Sequence, residues 1–309
     1  MRIQSLRSNG FVLIIFRSLG LAERGLQLKP RKRLSPWIEK SGCATVGFPD
    51  HVSAPSSCLL LSANVSYENA ARDFEELTGI AIGHSTQQRL VHRADWAAAT
   101  ATVVVNTLSL DGGKARIRTP EKGPSVWLDY KAVSLHGIRC DAWFQENEAL
   151  LESVNSQPLA PVVSCIGDGH PGVWKIVTGI RQPQQRREVL DWFHLMENLH
   201  KVGGSEQRLK QVRLDLWQGR VASAKAAFDD WEQPPAPVIN FLKYVEQHQE
   251  RIPDYQSDQQ QGLCIGSGSV ESTIKRIGVR IKISGAQWKA ENIGRVLRQR
   301  CAYLNRFAA

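Results

Sequence analysis

The chain has no CxxC pair. Its six cysteines lie at positions 43, 58, 140, 165, 264 and 301, which excludes a zinc ribbon or a thioredoxin-like motif. Scattered cysteines of this kind point to free thiols in a reducing compartment. Long apolar runs are also missing. The run Phe11–Phe16 near the N-terminus is far shorter than the ~20 residues a bilayer span needs. Arg17 follows it at once and no small-residue cleavage site is evident, which argues against a signal peptide. A soluble, cytoplasmic protein without a membrane partner is expected. No internal repeat is present. Apolar residues make up 42% and charged residues 22%, so a wholly disordered or fibrous chain is excluded. A chain of 309 residues makes one large domain or two to three small ones, and it can bury well over half of its unfolded surface. Acids are short relative to bases: 30 Asp and Glu against 39 Lys and Arg leave a net charge of +9. That balance favours a polyanionic partner, nucleic acid first.

Residues 1–60 form an irregular segment. It holds the basic triplet Arg31–Lys32–Arg33 and a Gly/Ser/Pro-rich stretch from Ser41 to Ser57 that reads as loop or linker. Residues 61–96 read as two short helices. Ala70, Ala71, Phe74 and Leu77 recur at helical spacing after a Ser66 cap, and Thr78–Gly79 ends that helix. Ser85 is placed to cap a second helix from Thr86 to Arg93. Two such helices around a glycine turn fit a helix-turn-helix, in which Gln87, Arg89 and Arg93 reach DNA. An ordinary helical hairpin with a polar face fits equally well. From Thr102 the pattern alternates strands and helices, as in an α/β domain over 97–309. Strands are expected at Thr102–Leu110, Ala115–Thr119, Val126–Leu135, Pro161–Ile166 and Val189–Leu195. Ser205–Glu250 is helical, Asp254–Gln261 reads as loop, and a final helical region starts near Ser269 and breaks at Ser284–Gly285.

Three acids stand out by context. Asp111 and Asp168 each follow a buried strand and adjoin glycine, and Glu271 lies at the start of a helix after Gly266–Ser267–Gly268–Ser269. Carboxyl ends of strands are where α/β sites collect, and glycine lets a ligand approach the backbone. Carboxylates brought together there need a counter-ion. Oxygen-only ligands select Mg²⁺ or Mn²⁺, and a third carboxylate completes a site for two ions. Taken singly, each Asp-Gly is more economically a turn and Glu271 a surface residue. After Glu271 there are nine Lys and Arg and one acid between Lys275 and Arg306. Lys275, Arg276, Arg280 and Lys282 are placed to hold phosphates.

The blocks LSLDGGKARIRT, VWLDYKAVSLHG, CIGDGHPGVWKIV, VLDWFHLMENLHKV and CIGSGSVESTIKRIGVRIKISGAQW occur in that order. In them the chain resembles bacterial insertion-sequence transposases of the ISKra type, over roughly residues 60–305. The resemblance implies a DDE transposase with an RNase H-like mixed sheet flanked by helices, an N-terminal helix-turn-helix and an all-helical insertion at about 205–260. It places the catalytic, metal-holding triad on Asp111, Asp168 and Glu271 with two Mg²⁺ (or Mn²⁺) ions. A C/DxxH signature falls on Asp191 and His194, as support for the active site. Partners would be the element ends and target DNA, with a homo-oligomer assembled on DNA at the nucleoid. Residues 1 to about 30 depart from the family pattern, which points to a truncated or rearranged copy. Two other outcomes are an RNase H-like nuclease without strand transfer and an inactive DNA-binding remnant.

Overall fold

The computed structural model describes residues 54–96, 100–120 and 123–305. The expectations for residues 1–53, including the basic triplet, lie outside the described residues. The chain divides into two units, Met1–Ser56 and Ser57–Ala309, and the sheet with its helices belongs to the second.

Three helices come first: α1 (Ala54–Ser62), α2 (Tyr67–Thr78) and α3 (His84–Arg93). The Ser66 hydroxyl accepts from the Asn69 N–H at 3.1 Å and caps α2. Gly79 ends that helix at φ 71°, a left-handed turn that glycine adopts without steric cost. Helix α3 begins at His84, two residues before the expected start. Gly83 holds its N-cap position and Ser85 lies inside the helix. The expected separate segment 61–96 is part of the same unit as the sheet.

Next come β1 (Val105–Ile117), β2 (Val126–Leu135), β3 (Arg139–Trp143), α4 (Asn147–Asn155), β4 (Leu159–Gly167), α5 (Pro171–Val177), β5 (Arg186–Leu190) and α6 (Trp192–His200). The strands order as β3-β2-β1-β4-β5. β1, β2 and β3 pair antiparallel, whereas β4 runs parallel to both β1 and β5. Then α7 (Glu206–Trp217), α8 (Val221–Ala226), α9 (Ala236–His248) and α10 (Tyr255–Gln260) follow without an intervening strand. Helices α11 (Gly268–Ile281) and α12 (Ala290–Asn305) close the fold. The protein is thus an α/β mixed five-stranded sheet flanked by helices, consistent with the RNase H-like expectation.

Both faces of the sheet are covered. Along β2, Val133 and Leu135 enter one core with residues of α4, α5 and α6, while Tyr130 and Ala132 enter a second core with residues of α11 and α12. This is the period-2 alternation of a strand buried on both sides. Polar bonds reinforce the second core. The Arg280 Nε donates to the Ser62 carbonyl at 2.7 Å, and Arg300 Nη1 donates to Asn64 Oδ1 at 2.6 Å, joining α11 and α12 to the end of α1.

Three sequence expectations are corrected. Asp111–Gly112–Gly113 is no turn: β1 runs through it, so the expected strands 102–110 and 115–119 are one. Gly113 pairs with Tyr130, and a Cβ there would stand 2.2 Å from the buried Tyr130 ring. The glycine makes room for a cross-strand ring. Secondly, β5 stops at Leu190 and α6 begins at Trp192, because Asp191 caps the helix. Finally, part of the expected loop 254–261 is α10, capped by Asp254, with the buried Tyr255 hydroxyl donating to the Leu190 carbonyl at 2.8 Å.

The outer strand β5 is tied down by charge. Glu188 accepts from Arg186 Nε at 2.8 Å and from Arg251 Nε, just beyond α9, at 2.7 Å. Arg187 pairs with Asp258 of α10. Burial pushes the Glu188 carboxyl up, but the two guanidiniums outweigh it and hold it below the usual carboxylate range. A carboxylate depressed on folding contributes stability above its unfolded value and loses that contribution as pH falls through its folded value. Glu188→Gln is therefore expected to lower stability at pH 7 by roughly 1–3 kcal/mol. The deficit should shrink as urea unfolding is repeated at progressively more acidic pH, and a pH-independent deficit would count against the ion pairs. Gly113→Ala should cost about 1–3 kcal/mol by overpacking against Tyr130. An unchanged urea midpoint would count against the continuous β1.

Candidate active site

Strand register brings the first two carboxylates together. Leu110 pairs with Gly167 across the parallel β1–β4 ladder. Asp111 and Asp168 are therefore the next residues on neighbouring chains, and such chains run ~4.8 Å apart. Beyond β4, the Asp168 carboxylate accepts from the His170 N–H at 2.9 Å. The Asp168 carbonyl accepts from the Tyr244 hydroxyl of α9 at 3.1 Å. Gly169 follows at φ 93°, and a Cβ there would stand 2.6 Å from the Tyr244 hydroxyl. Backbone conformation and close approach both require glycine at this corner.

The third carboxylate arrives on α11. The Ser269 hydroxyl lies 2.6 Å from that of Ser134 on β2, and Val270 is fully buried, so the first turn of α11 is seated on the sheet. Glu271 belongs to that turn.

Asp191 organises the approach. It is fully buried, and one carboxylate oxygen accepts from the His194 N–H at 2.8 Å as the cap of α6. The other accepts from the Ser267 N–H at the start of α11. The Trp192 N–H donates to the Ile265 carbonyl at 3.0 Å alongside. One buried carboxylate thus joins the starts of two helices. His194 Nδ1 stands 3.3 Å from Asp191 Oδ1 and 3.9 Å from Glu271 Oε1. These are ion-pair contacts without hydrogen-bond alignment. Asp191, His194 and Glu271 bring ligand atoms within 4.8 Å of one another and form a group that could hold a metal ion.

Asp111 and Asp168 join this group through charge. Burial pushes the Asp111 carboxyl up, the Gly112 N–H at 2.5 Å opposes it, and the charges of Asp168 and Glu271 push it further up. His194 responds in the opposite sense. The adjacent Asp191 carboxylate outweighs burial, Glu271 and Asp168 add to it, and the imidazole is raised to about 9. The site is a cluster of carboxylates around one protonated histidine.

The residues expected to bind DNA divide in two. Arg89, Arg93, Lys275, Arg276 and Lys282 are exposed. Gln87 is not: it is fully buried, and its side-chain amide donates to the Ala70 carbonyl at 3.3 Å, holding α3 to α2. Arg280 is only 1% exposed and binds the Ser62 carbonyl, so it cannot meet a phosphate on the open surface. Helical spacing carried no sign that either residue turns inward. Tyr244 and Ser269 were missed as positioning residues. Their contacts cross 76 and 135 residues of chain, and no local motif announces them. No protein-family model matches the chain, and no curated protein matches it.

Asp191→Ala would leave two backbone N–H groups without their acceptor, and a destabilisation of about 2–4 kcal/mol is expected in urea unfolding. A value near zero would show that the carboxylate does not join the two helices. Asp168→Asn removes a like charge beside Asp111, so in EDTA its thermal midpoint should exceed that of the wild type, by about 0.5–2 kcal/mol in stability. A lower midpoint would mean the carboxylates do not strain one another.

Proposed function

We propose that this chain is an insertion-sequence DDE transposase with an RNase H-like catalytic domain. It cuts DNA at an element end and joins the freed 3′-hydroxyl to target DNA. What supports the reading is the β1–β4 register that sets Asp111 beside Asp168, with the charge of Glu271 near enough to push the Asp111 carboxyl up, across sequence separations of 57 and 103 residues. Such a cluster of like charges has no stabilising role of its own, and active sites are where it is retained.

The donor set fits a hard divalent cation. Asp111, Asp168 and Glu271 offer only oxygen, which suits Mg²⁺ or Mn²⁺. We assign these three as the ligands of two ions. Bound there, such a pair supplies an activated water or 3′-hydroxyl and stabilises the leaving oxygen at phosphorus. Asp191 accepts a backbone N–H at each oxygen, and we assign it the part of positioning His194 and α11. His194 keeps positive charge beside Glu271, and Tyr244 fixes the Asp168 corner from α9. Helices α7–α10 then correspond to the helical insertion. Exposed Arg89 and Arg93 on α3 correspond to the DNA-facing side of a helix-turn-helix. Lys275, Arg276 and Lys282 hold phosphates near the reacting bond, and the protein assembles as an oligomer on paired ends.

The test is metal-dependent nicking of DNA that carries the element ends. Asp111→Asn, Asp168→Asn and Glu271→Gln should each reduce it by at least about 100-fold, the scale of removing one group that stabilises charge in the transition state. Cleavage that survives Asp168→Asn would sink the proposal. Supplying pre-cut ends with free 3′-hydroxyls separates a transposase, which joins them to target, from a nuclease, which does not. Lys275→Ala and Arg276→Ala should each reduce the slope of log affinity against log salt by about one, the value for a single phosphate no longer neutralised.

A further inference from the structure

A second site lies at the far end of α11. A cleft of about 400 Å³ opens between the start of α2, the middle and end of α3, the turn joining α11 to α12, and the end of β1. Its size lies within the range of small-ligand sites. No carboxylate lines it. Arg280 does, although it is 1% exposed and makes no ion pair among the described residues. Its guanidinium lies between two rings, 5.1 Å from the centre of Tyr67 and 4.9 Å from that of Trp288. Nε is satisfied by the Ser62 carbonyl, and the buried Tyr67 hydroxyl lies beside the guanidinium and interacts with it without strict hydrogen-bond alignment. Burial lowers Arg280 to about 10, so it still carries its charge at neutral pH. A buried cation with no carboxylate partner leaves a positive potential in the cleft that an anion would neutralise.

The remaining lining defines the anion. Exposed Arg118 and Lys289, the latter 3.4 Å from Glu291 outside the cleft, add two cations, and exposed Gln88 adds an amide that can donate and accept. Trp288 is held in place, its indole N–H donating to the Ile281 carbonyl at 2.9 Å. Cations, an oriented aromatic and an amide are the groups that recognise a phosphate, a base face and a base edge. We propose that this cleft binds one nucleotide of a DNA strand, its phosphate at the exposed Arg118 and Lys289 with the buried charge of Arg280 behind them, and its base against Trp288 and Gln88.

The assignment rests on the nucleic-acid reading of the carboxylate site and extends it. β1 and α11 both run from that site to the cleft. Arg118 is seven residues beyond Asp111, about 23 Å at ~3.3 Å per strand residue. Arg280 is nine residues beyond Glu271, about 13 Å at ~1.5 Å per helical residue. The cleft therefore engages a strand roughly four to seven nucleotide steps from the reacting bond, at ~3.4 Å per step.

Titration of the full chain with deoxyadenosine 5′-monophosphate in EDTA, followed by tryptophan fluorescence, tests the assignment. Saturable binding is expected, with deoxyadenosine and inorganic phosphate each at least tenfold weaker. Arg118→Ala, Lys289→Ala and Gln88→Ala alter exposed side chains and should each weaken nucleotide binding severalfold without moving the thermal midpoint. Binding of inorganic phosphate as tight as the nucleotide, no saturable binding, or indifference to all three substitutions would overturn the proposal. The two sites fail separately. Asp168→Asn should abolish cleavage and leave nucleotide binding intact. A wild type that binds nucleotide but never cleaves keeps the cleft and loses the transposase. One that cleaves but whose nucleotide binding ignores the substitutions keeps the transposase and loses the cleft.

Discussion

The pairing of Leu110 with Gly167 is the constraint on which the site depends. It sets Asp111 and Asp168 side by side as the next residues on adjacent chains. A slip of one residue would turn every side chain of the strand to the opposite face. That slip is blocked on both sides. Leu108 and Leu110 fill one core, Ala115 and Ile117 the other, and Gly113 admits the Tyr130 ring. The packing that stabilises the sheet is therefore also what holds two like charges together. Folding accepts that repulsion because the surrounding contacts fix it, as strain at functional sites is generally held.

Three positioning interactions carry the same logic outward. Asp191 ties the start of α6 to the start of α11, Ser269 seats α11 on β2, and Tyr244 pins the corner that presents Asp168. Each joins elements that are distant in the chain. None of the three engages the side-chain carboxylate of Asp111, Asp168 or Glu271. Asp191 is the clearest case. It accepts a backbone N–H at each oxygen and so joins two helices, while belonging with His194 and Glu271 to the group that could hold a metal ion.

The sequence was legible where one local rule decided the outcome. Ser66 and Gly79 bound α2 as their chemistry requires, and the apolar run Val126–Leu135 is a strand from end to end. The adjacency of Asp111 and Asp168 followed from two strands whose pairing the local patterns could not give, and Asp111 lies inside β1 rather than at the strand end that its glycines suggested. Reading failed where tertiary packing outvoted local signal. Gly112–Gly113 has turn composition, yet Tyr130, 17 residues further on, turns it into strand. Asp254–Gln261 is polar throughout, yet Tyr255 finds a buried place against Leu190 and the segment becomes a helix. Gln87 and Arg280 were placed on the surface by their polarity. Their burial is decided by partners at Ala70 and Ser62, which helical periodicity cannot reveal.

Helix α11 joins the two charged regions and lowers the cost of both. Glu271 lies in its first turn and Arg280 in its last. The helix dipole favours an acid at the N-terminus and a cation at the C-terminus, each by about 0.3–1 kcal/mol. The two ends stand further apart than the ~8 Å over which physiological salt screens charge, so in solution each acts locally. A polyanion lying along the helix meets both at once. Under the proposed reading, its phosphates are drawn to the basic end of the helix and repelled by the carboxylates until cations neutralise them. Adhesion at one end therefore needs no metal, whereas close approach at the other does. Under the proposed reading, a single helix holds a strand before the chemistry and admits it to the carboxylates only once they hold metal.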